Sequence, residues 1–126
     1  MSQRALRILV LDDEPIVGKR LKPALEKSGY EVEAFEDGRL ALARMEEAAF
    51  DVVVTDIRMD EVDGIEVLDH VLERFPETKV ILITGYATLE IAREAMLKGA
   101  FDFIAKPFTP DDLRQVIARA ASGVAR

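Results

Sequence analysis

The segment Ile8-Leu9-Val10-Leu11-Asp12-Asp13 sets four consecutive apolar residues directly before two acids. A strand with one wet face alternates apolar and polar residues; an unbroken apolar run of this length suits a strand covered on both faces. The arrangement recurs along the chain. Val52-Val53-Val54-Thr55 runs into Asp56, Val80-Ile81-Leu82-Ile83 into Thr84-Gly85, and Phe101-Asp102-Phe103-Ile104-Ala105 into Lys106-Pro107. Four strand-like runs thus end in reactive polar residues.

Working outward, strands are expected at about 7–11, 31–35, 51–55, 79–84 and 101–105, and helices at about 15–28, 38–48, 64–74, 89–98 and 111–121. Thr109 before Pro110, with Asp111 and Asp112 behind it, is a helix start. Asp37 and Thr88 stand where caps belong, Gly29 and Gly99 where left-handed helix stops belong, and Pro76 just past another helix end. Five strands alternating with five helices imply an α/β, doubly wound parallel sheet with helices on both faces. The strand around 31–35 alternates and the last one carries Asp102, so these two are the edges. The order is then 2-1-3-4-5, flavodoxin-like, with its switch point between strands 1 and 3. Asp12, Asp13 and Asp56 fall at that point.

With 126 residues and no visible linker or repeat, residues 1–126 are expected to form one domain, with 122–126 frayed. A chain without cysteine has no disulfide and no thiolate site, and its single histidine excludes a histidine-rich metal centre. A net charge of −7 argues against direct nucleic-acid binding. No apolar run approaches the roughly 20 residues of a membrane span, and the cytoplasm is the expected location. Leu40, Met45, Ile65, Leu68 and Leu72 sit at helical spacings and are read as core. His70 is read as a surface helix residue, and Glu46-Glu47 and Asp111-Asp112 as solvated faces.

Three clustered carboxylates repel one another and raise each other's proton affinity unless a cation neutralises them. A hard divalent ion such as Mg²⁺ suits such a set, because it takes oxygen ligands and keeps several waters. Asp56 is the candidate nucleophile, since a carboxylate can carry a phosphoryl group. Lys106 supplies a cation for the phosphoryl oxygens and Thr84 a hydroxyl. Gly85 leaves room for close approach, and Pro107 raises the question of a cis peptide.

The motifs Leu11-Asp12-Asp13-Glu14, Asp56-Ile57-Arg58-Met59 with Asp63-Gly64, Leu82-Ile83-Thr84-Gly85-Tyr86-Ala87, and Gly99 through Phe108 occur in order. Together they give the chain, from about Arg7 to Ala121, a resemblance to the receiver domain of two-component response regulators. The resemblance implies that Asp56 is the phosphorylated residue. It implies that Asp13 and Asp56 ligate Mg²⁺ directly (with Mn²⁺ as a substitute), with Asp12 acting mostly through water and the Arg58 main-chain carbonyl as third protein ligand. It implies that Thr84 and Lys106 sense the phosphoryl group and that Phe103 is the aromatic switch residue. The implied partner is a sensor histidine kinase or phosphotransfer protein. The implied output is a changed surface on helix 4, strand 5 and helix 5, which allows a homodimer on phosphorylation without requiring one. On this reading the chain is a phosphoacceptor with self-dephosphorylation chemistry, not an enzyme. Two features depart from the pattern: Asp60-Glu61 stand where proline often follows the methionine, and position 103 is Phe where Tyr is also found.

Two other classes fit less well. An aspartyl-phosphate phosphatase commonly has an acid two residues after its nucleophile, where this chain has Arg58. A flavin or nucleotide binder needs a glycine-rich loop after the first strand, where this chain has Asp12-Asp13-Glu14-Pro15.

Overall fold

The computed structural model describes residues 5–59 and 62–122. The strands are β1 (Arg7–Leu11), β2 (Glu31–Phe35), β3 (Val52–Asp56), β4 (Lys79–Thr84) and β5 (Asp102–Ala105). The helices are α1 (Pro15–Glu26), α2 (Gly38–Glu47), α3 (Gly64–Arg74), α4 (Leu89–Lys98) and α5 (Pro110–Ser122), with one 3₁₀ turn at Tyr86–Thr88. All strand pairs are parallel and the order is β2-β1-β3-β4-β5, so the expected sheet and its two edges are observed. Several boundaries shift by one or two residues: β3 begins at Val52 and includes Asp56, β5 begins at Asp102, α1 stops at Glu26, α2 stops at Glu47, and α5 runs from Pro110 to Ser122. The other expected tail residues, and Asp60-Glu61, lie outside the described residues.

Strand alternation sorts the apolar runs onto two faces. Ile8, Val10, Val52, Val54, Ile81 and Ile83 face α1 and α5, meeting Leu25, Leu113 and Ile117. Leu9, Leu11, Val53 and Leu82 face α2, α3 and α4, meeting Met45, Leu68 and Ala92. An apolar run covered by helices on both sides therefore has a buried position at every residue, which is why β1, β3 and β4 lack alternation.

The helix ends follow local chemistry. Asp37 Oδ1 accepts the Arg39 N–H at 2.8 Å. Asp63 Oδ1 accepts the N–H groups of Ile65 and Glu66, and Glu66 returns a bond from Asp63 N–H, a complete capping box. Thr109 and Asp112 make the same reciprocal pair at α5. Thr88 does not cap α4 with its side chain, contrary to expectation. Gly29 and Gly99 have φ of 92° and 131°, as helix stops require.

The core reading holds for Met45 and Leu68, with Ile65 and Leu72 packed at the margin. It fails for Leu40, which is 62% exposed. The buried stripe of α2 is Gly38, Ala41 and Met45, and Leu40 lies one residue off that phase. Glu46 is not merely solvated: it pairs with His70 at 3.1 Å and with Arg74, tying α2 to α3. Asp111 likewise pairs with Arg114. No described helix is long and apolar enough to cross a membrane.

Candidate functional site

Parallel pairing brings the carboxyl ends of β1, β3, β4 and β5 to one edge, and with them Asp12, Asp56, Thr84 and Lys106. Asp12 follows β1 and is 2% exposed. Its Oδ1 accepts the Glu14 N–H at 2.9 Å, whereas its Oδ2 is buried with no hydrogen-bond partner among the described residues. Burial, reinforced by the charge of Asp56, pushes the Asp12 carboxyl up to about 6, although the Glu14 N–H and Lys106 oppose the shift. Asp13 is exposed beside it.

Asp56 closes β3 and is buried. Its Oδ1 accepts the Arg58 N–H at 3.2 Å and its Oδ2 accepts from Lys106 Nζ at 3.0 Å. The segment after it is pinned on two sides: Ile57 N–H donates to Ile83 O at 3.1 Å, and Gly64 N–H donates to Ile57 O at 2.9 Å. Gly64 lies so close that a Cβ there would fall 2.2 Å from Asp56 O, which only glycine avoids. Arg58 itself is exposed.

Lys106 is fixed through its backbone, whose N–H donates to Thr84 O at 2.8 Å, and the following Lys106-Pro107 bond is cis. Its ammonium also reaches Glu14 Oε1 at 3.2 Å and Asp12 Oδ2 at 3.8 Å. Partial burial alone lowers a lysine, but hydrogen bonds to Asp56 and Glu14 outweigh it and hold Lys106 above the ordinary lysine value. Thr84 is fully buried at the end of β4. Its Oγ1 is 2.6 Å from Thr88 Oγ1 and donates to Gly85 O at 3.0 Å, so it is bonded toward α4. Phe103 on β5 is half-buried against the core shared with α4.

One oxygen from each of Asp12, Asp13 and Asp56 lies within 4.8 Å of the others, a group that could hold a metal ion. The orphaned Asp12 oxygen fits this use, since a buried carboxylate oxygen without a donor is costly unless a cation supplies the missing partner. Lys106, 3.8 Å away, neutralises it only in part. Asp60 and Glu61, the acids that follow Met59 in the loop after Asp56, lie outside the described residues.

The sequence reading missed three contributors. Glu14 shares the Lys106 ammonium from 92 positions away. Gly64 was visible only as part of a motif. Thr88 gave a capping signal, and its hydroxyl instead serves Thr84 and Gly85. Beside the site, a groove of about 580 Å³ runs from Gly85 and Lys106 along Ile16, Val17, Leu21 and Phe108.

Known proteins resemble this chain in sequence and fold. Residues 8–118 match the family model described as the response regulator receiver domain. Regulatory protein AtoC of Escherichia coli K12 is 43% identical over 114 residues, covering 90% of this chain and 25% of that protein. The transcriptional regulatory protein DctD of Rhizobium meliloti is 35% identical, with 90% and 25% covered. The chain thus spans about a quarter of the length of these curated relatives. Among solved structures, a receiver domain protein from Clostridium thermocellum superposes with a TM-score of 0.88 at 34% identity, covering 93% of this chain and 94% of that one. The receiver domain of NtrX from Brucella abortus gives 0.86 at 36% identity, covering 91% and 98%. The acids ending β1 and β3, the lysine ending β5 and the sheet that gathers them therefore sit in a chain that belongs to the response regulator receiver domain family.

Proposed function

We propose that residues 1–126 form one receiver domain that accepts a phosphoryl group on Asp56 and acts as a phosphorylation-controlled switch in the cytoplasm. The observation that carries this reading is the ammonium of Lys106, 3.0 Å from Asp56 Oδ2 and facing the buried, partly unsatisfied Asp12. A nucleophilic carboxylate, a fixed cation and spare acidic ligands are what phosphoryl transfer to an aspartate needs.

In the proposed step, an Asp56 carboxylate oxygen forms a bond to phosphorus as the P–N bond of a phosphohistidine breaks, and the electron pair returns to the imidazole nitrogen. The donor is a sensor histidine kinase or a phosphotransfer protein. Lys106 then pairs with a phosphoryl oxygen and Thr84 donates its hydroxyl to another. Asp12, Asp13, Asp56 and the Arg58 main-chain carbonyl would hold Mg²⁺, or Mn²⁺ in its place. When bound, that ion neutralises charge on the carboxylates and on the transferred group. Water attacking the acyl phosphate returns Asp56 and free phosphate, so the domain resets itself as a signalling module rather than turning over as an enzyme.

The switch output is the face of α4, β5 and α5, with Phe103 turning inward as Thr84 moves. It regulates a partner or an output domain. Charge pairing alone does not favour a homodimer there, because its cations already have partners within the chain: Arg93 with Glu90, Lys98 with Asp69, Arg114 with Asp111 and Arg119 with Asp102. Direct nucleic-acid binding is not part of the proposal, given the charge of −7.

Incubation with Mg²⁺ and acetyl phosphate tests the proposal. One phosphoryl group should appear on Asp56 by mass spectrometry, be released by hydroxylamine, and be absent from Asp56→Asn. Equal labelling of Asp56→Asn would place the chemistry elsewhere.

A further inference from the structure

Thr84 and Thr88 are both buried, and their hydroxyl oxygens lie 2.6 Å apart, a short contact even for two hydroxyls. Thr88 is the last residue of the 3₁₀ turn and immediately precedes α4. Its oxygen also accepts the Gly85 N–H at 3.1 Å and lies 3.3 Å from Gly85 O. The hydroxyl is thus directed back toward the end of β4, and α4 starts without a side-chain cap.

A hydroxyl has one proton to donate. The Thr84 proton cannot serve Thr88 or Gly85 O and a phosphoryl oxygen on Asp56 at the same time. Because both threonines are buried, no water replaces the contact between them when Thr84 gives it up, and Thr88 is left with its bonds to Gly85 alone.

We propose that Thr88 is a positioning residue that latches Thr84 toward α4 in the resting state and opposes its move to Asp56. This rests on the reading of Asp56 as the phosphoacceptor. The latch links the site to the output face by the shortest route, since the group Thr84 releases is the one that opens α4. When Thr84 leaves, the Thr88 hydroxyl loses its nearest partner and the first turn of α4 is free to reorganise. The resting contact therefore sets part of the gap between the two states.

Beryllofluoride, a stand-in for the phosphoryl group, is titrated with Mg²⁺ into the full chain in four forms: wild type, Thr88→Val, Thr88→Ala and Thr88→Ser. Valine keeps the shape and removes the hydroxyl, alanine removes it without added bulk, and serine keeps it. Loss of the latch should tighten beryllofluoride binding on the order of fivefold in the valine and alanine variants, the ratio expected for one net hydrogen bond. Serine should restore the wild-type value, which a merely structural role would not predict. Should both hydroxyl-free variants fail to fold, wild-type NMR decides: the Thr88 methyl signal must shift in step with that of Thr84 during the titration. A wild type that binds no beryllofluoride overturns the phosphoacceptor reading, and the latch with it. A wild type that binds while the hydroxyl-free variants bind equally well, or while Thr88 stays still, overturns the latch alone.

Discussion

Lys106 Nζ stands 3.0 Å from Asp56 Oδ2, bridging the ends of two strands that are not neighbours in the sheet. The same ammonium is shared with Glu14 and approaches Asp12, so one cation faces three acids. Its backbone is fixed by the bond from its N–H to Thr84 O at 2.8 Å.

Lys106→Ala should therefore slow labelling by acetyl phosphate by about a hundredfold, the scale of losing one preorganised electrostatic contact. Glu14→Gln should change it by less than about threefold, because Glu14 is exposed and its ion pair is screened. Timed labelling followed by intact mass measurement separates the two.

Asp13→Asn should weaken Mg²⁺ binding about tenfold or more, since few protein ligands hold such an ion and each counts. Titration calorimetry against wild type checks this. Equal affinity in the two proteins would remove Asp13 from the ligand set.

Gly64→Ala places a Cβ against the Asp56 carbonyl and should cost about 1–3 kcal/mol by overpacking. Gly85→Ala meets no atom within 4 Å and should be close to neutral for stability. Urea unfolding of the two variants supplies the contrast.

Glu33 on β2 accepts two bonds from Arg44, at 2.8 and 3.0 Å, and one from Arg7 at 3.3 Å. The Arg44 hydrogen bonds, joined by both arginine charges and opposed by burial, hold its carboxyl below the usual glutamate range. Because the folded-state value is depressed, the stabilisation is present above the unfolded value and is lost as pH falls through the folded one. Glu33→Gln should melt about 2 °C below wild type at pH 7, and the gap should close in acid, below the glutamate range. A gap that is constant with pH would show that the carboxylate charge plays no part.

The sheet was legible because burial on both faces leaves a signature in β1, β3 and β4, and because β1, β3, β4 and β5 each end at or next to a reactive residue. Asp12, Asp56, Thr84 and Lys106 converge as the parallel order requires. What escaped depends on distance or phase. Glu14 meets Lys106 only after 92 residues of chain have folded, and no local pattern records such a meeting. Leu40 was read as core because one apolar residue on a short helix does not define the helix's phase, and Ala41 and Met45 set it instead. Thr88 occupied a capping position, but the 3₁₀ turn that it ends aims its hydroxyl at Thr84.

The sheet also acts as a partition between two independent cores. Leu25 on α1 and Leu68 on α3 are both fully buried and lie on opposite sides of it. Truncating either to alanine should cost about 2–5 kcal/mol, and the double variant should lose the sum to within about 0.5 kcal/mol. Each helical layer can then drift in sequence without retuning the other. The packing of α1 can stay fixed while α4, in the opposite layer, is reshaped, so one small domain accommodates a fixed part and an adaptable part.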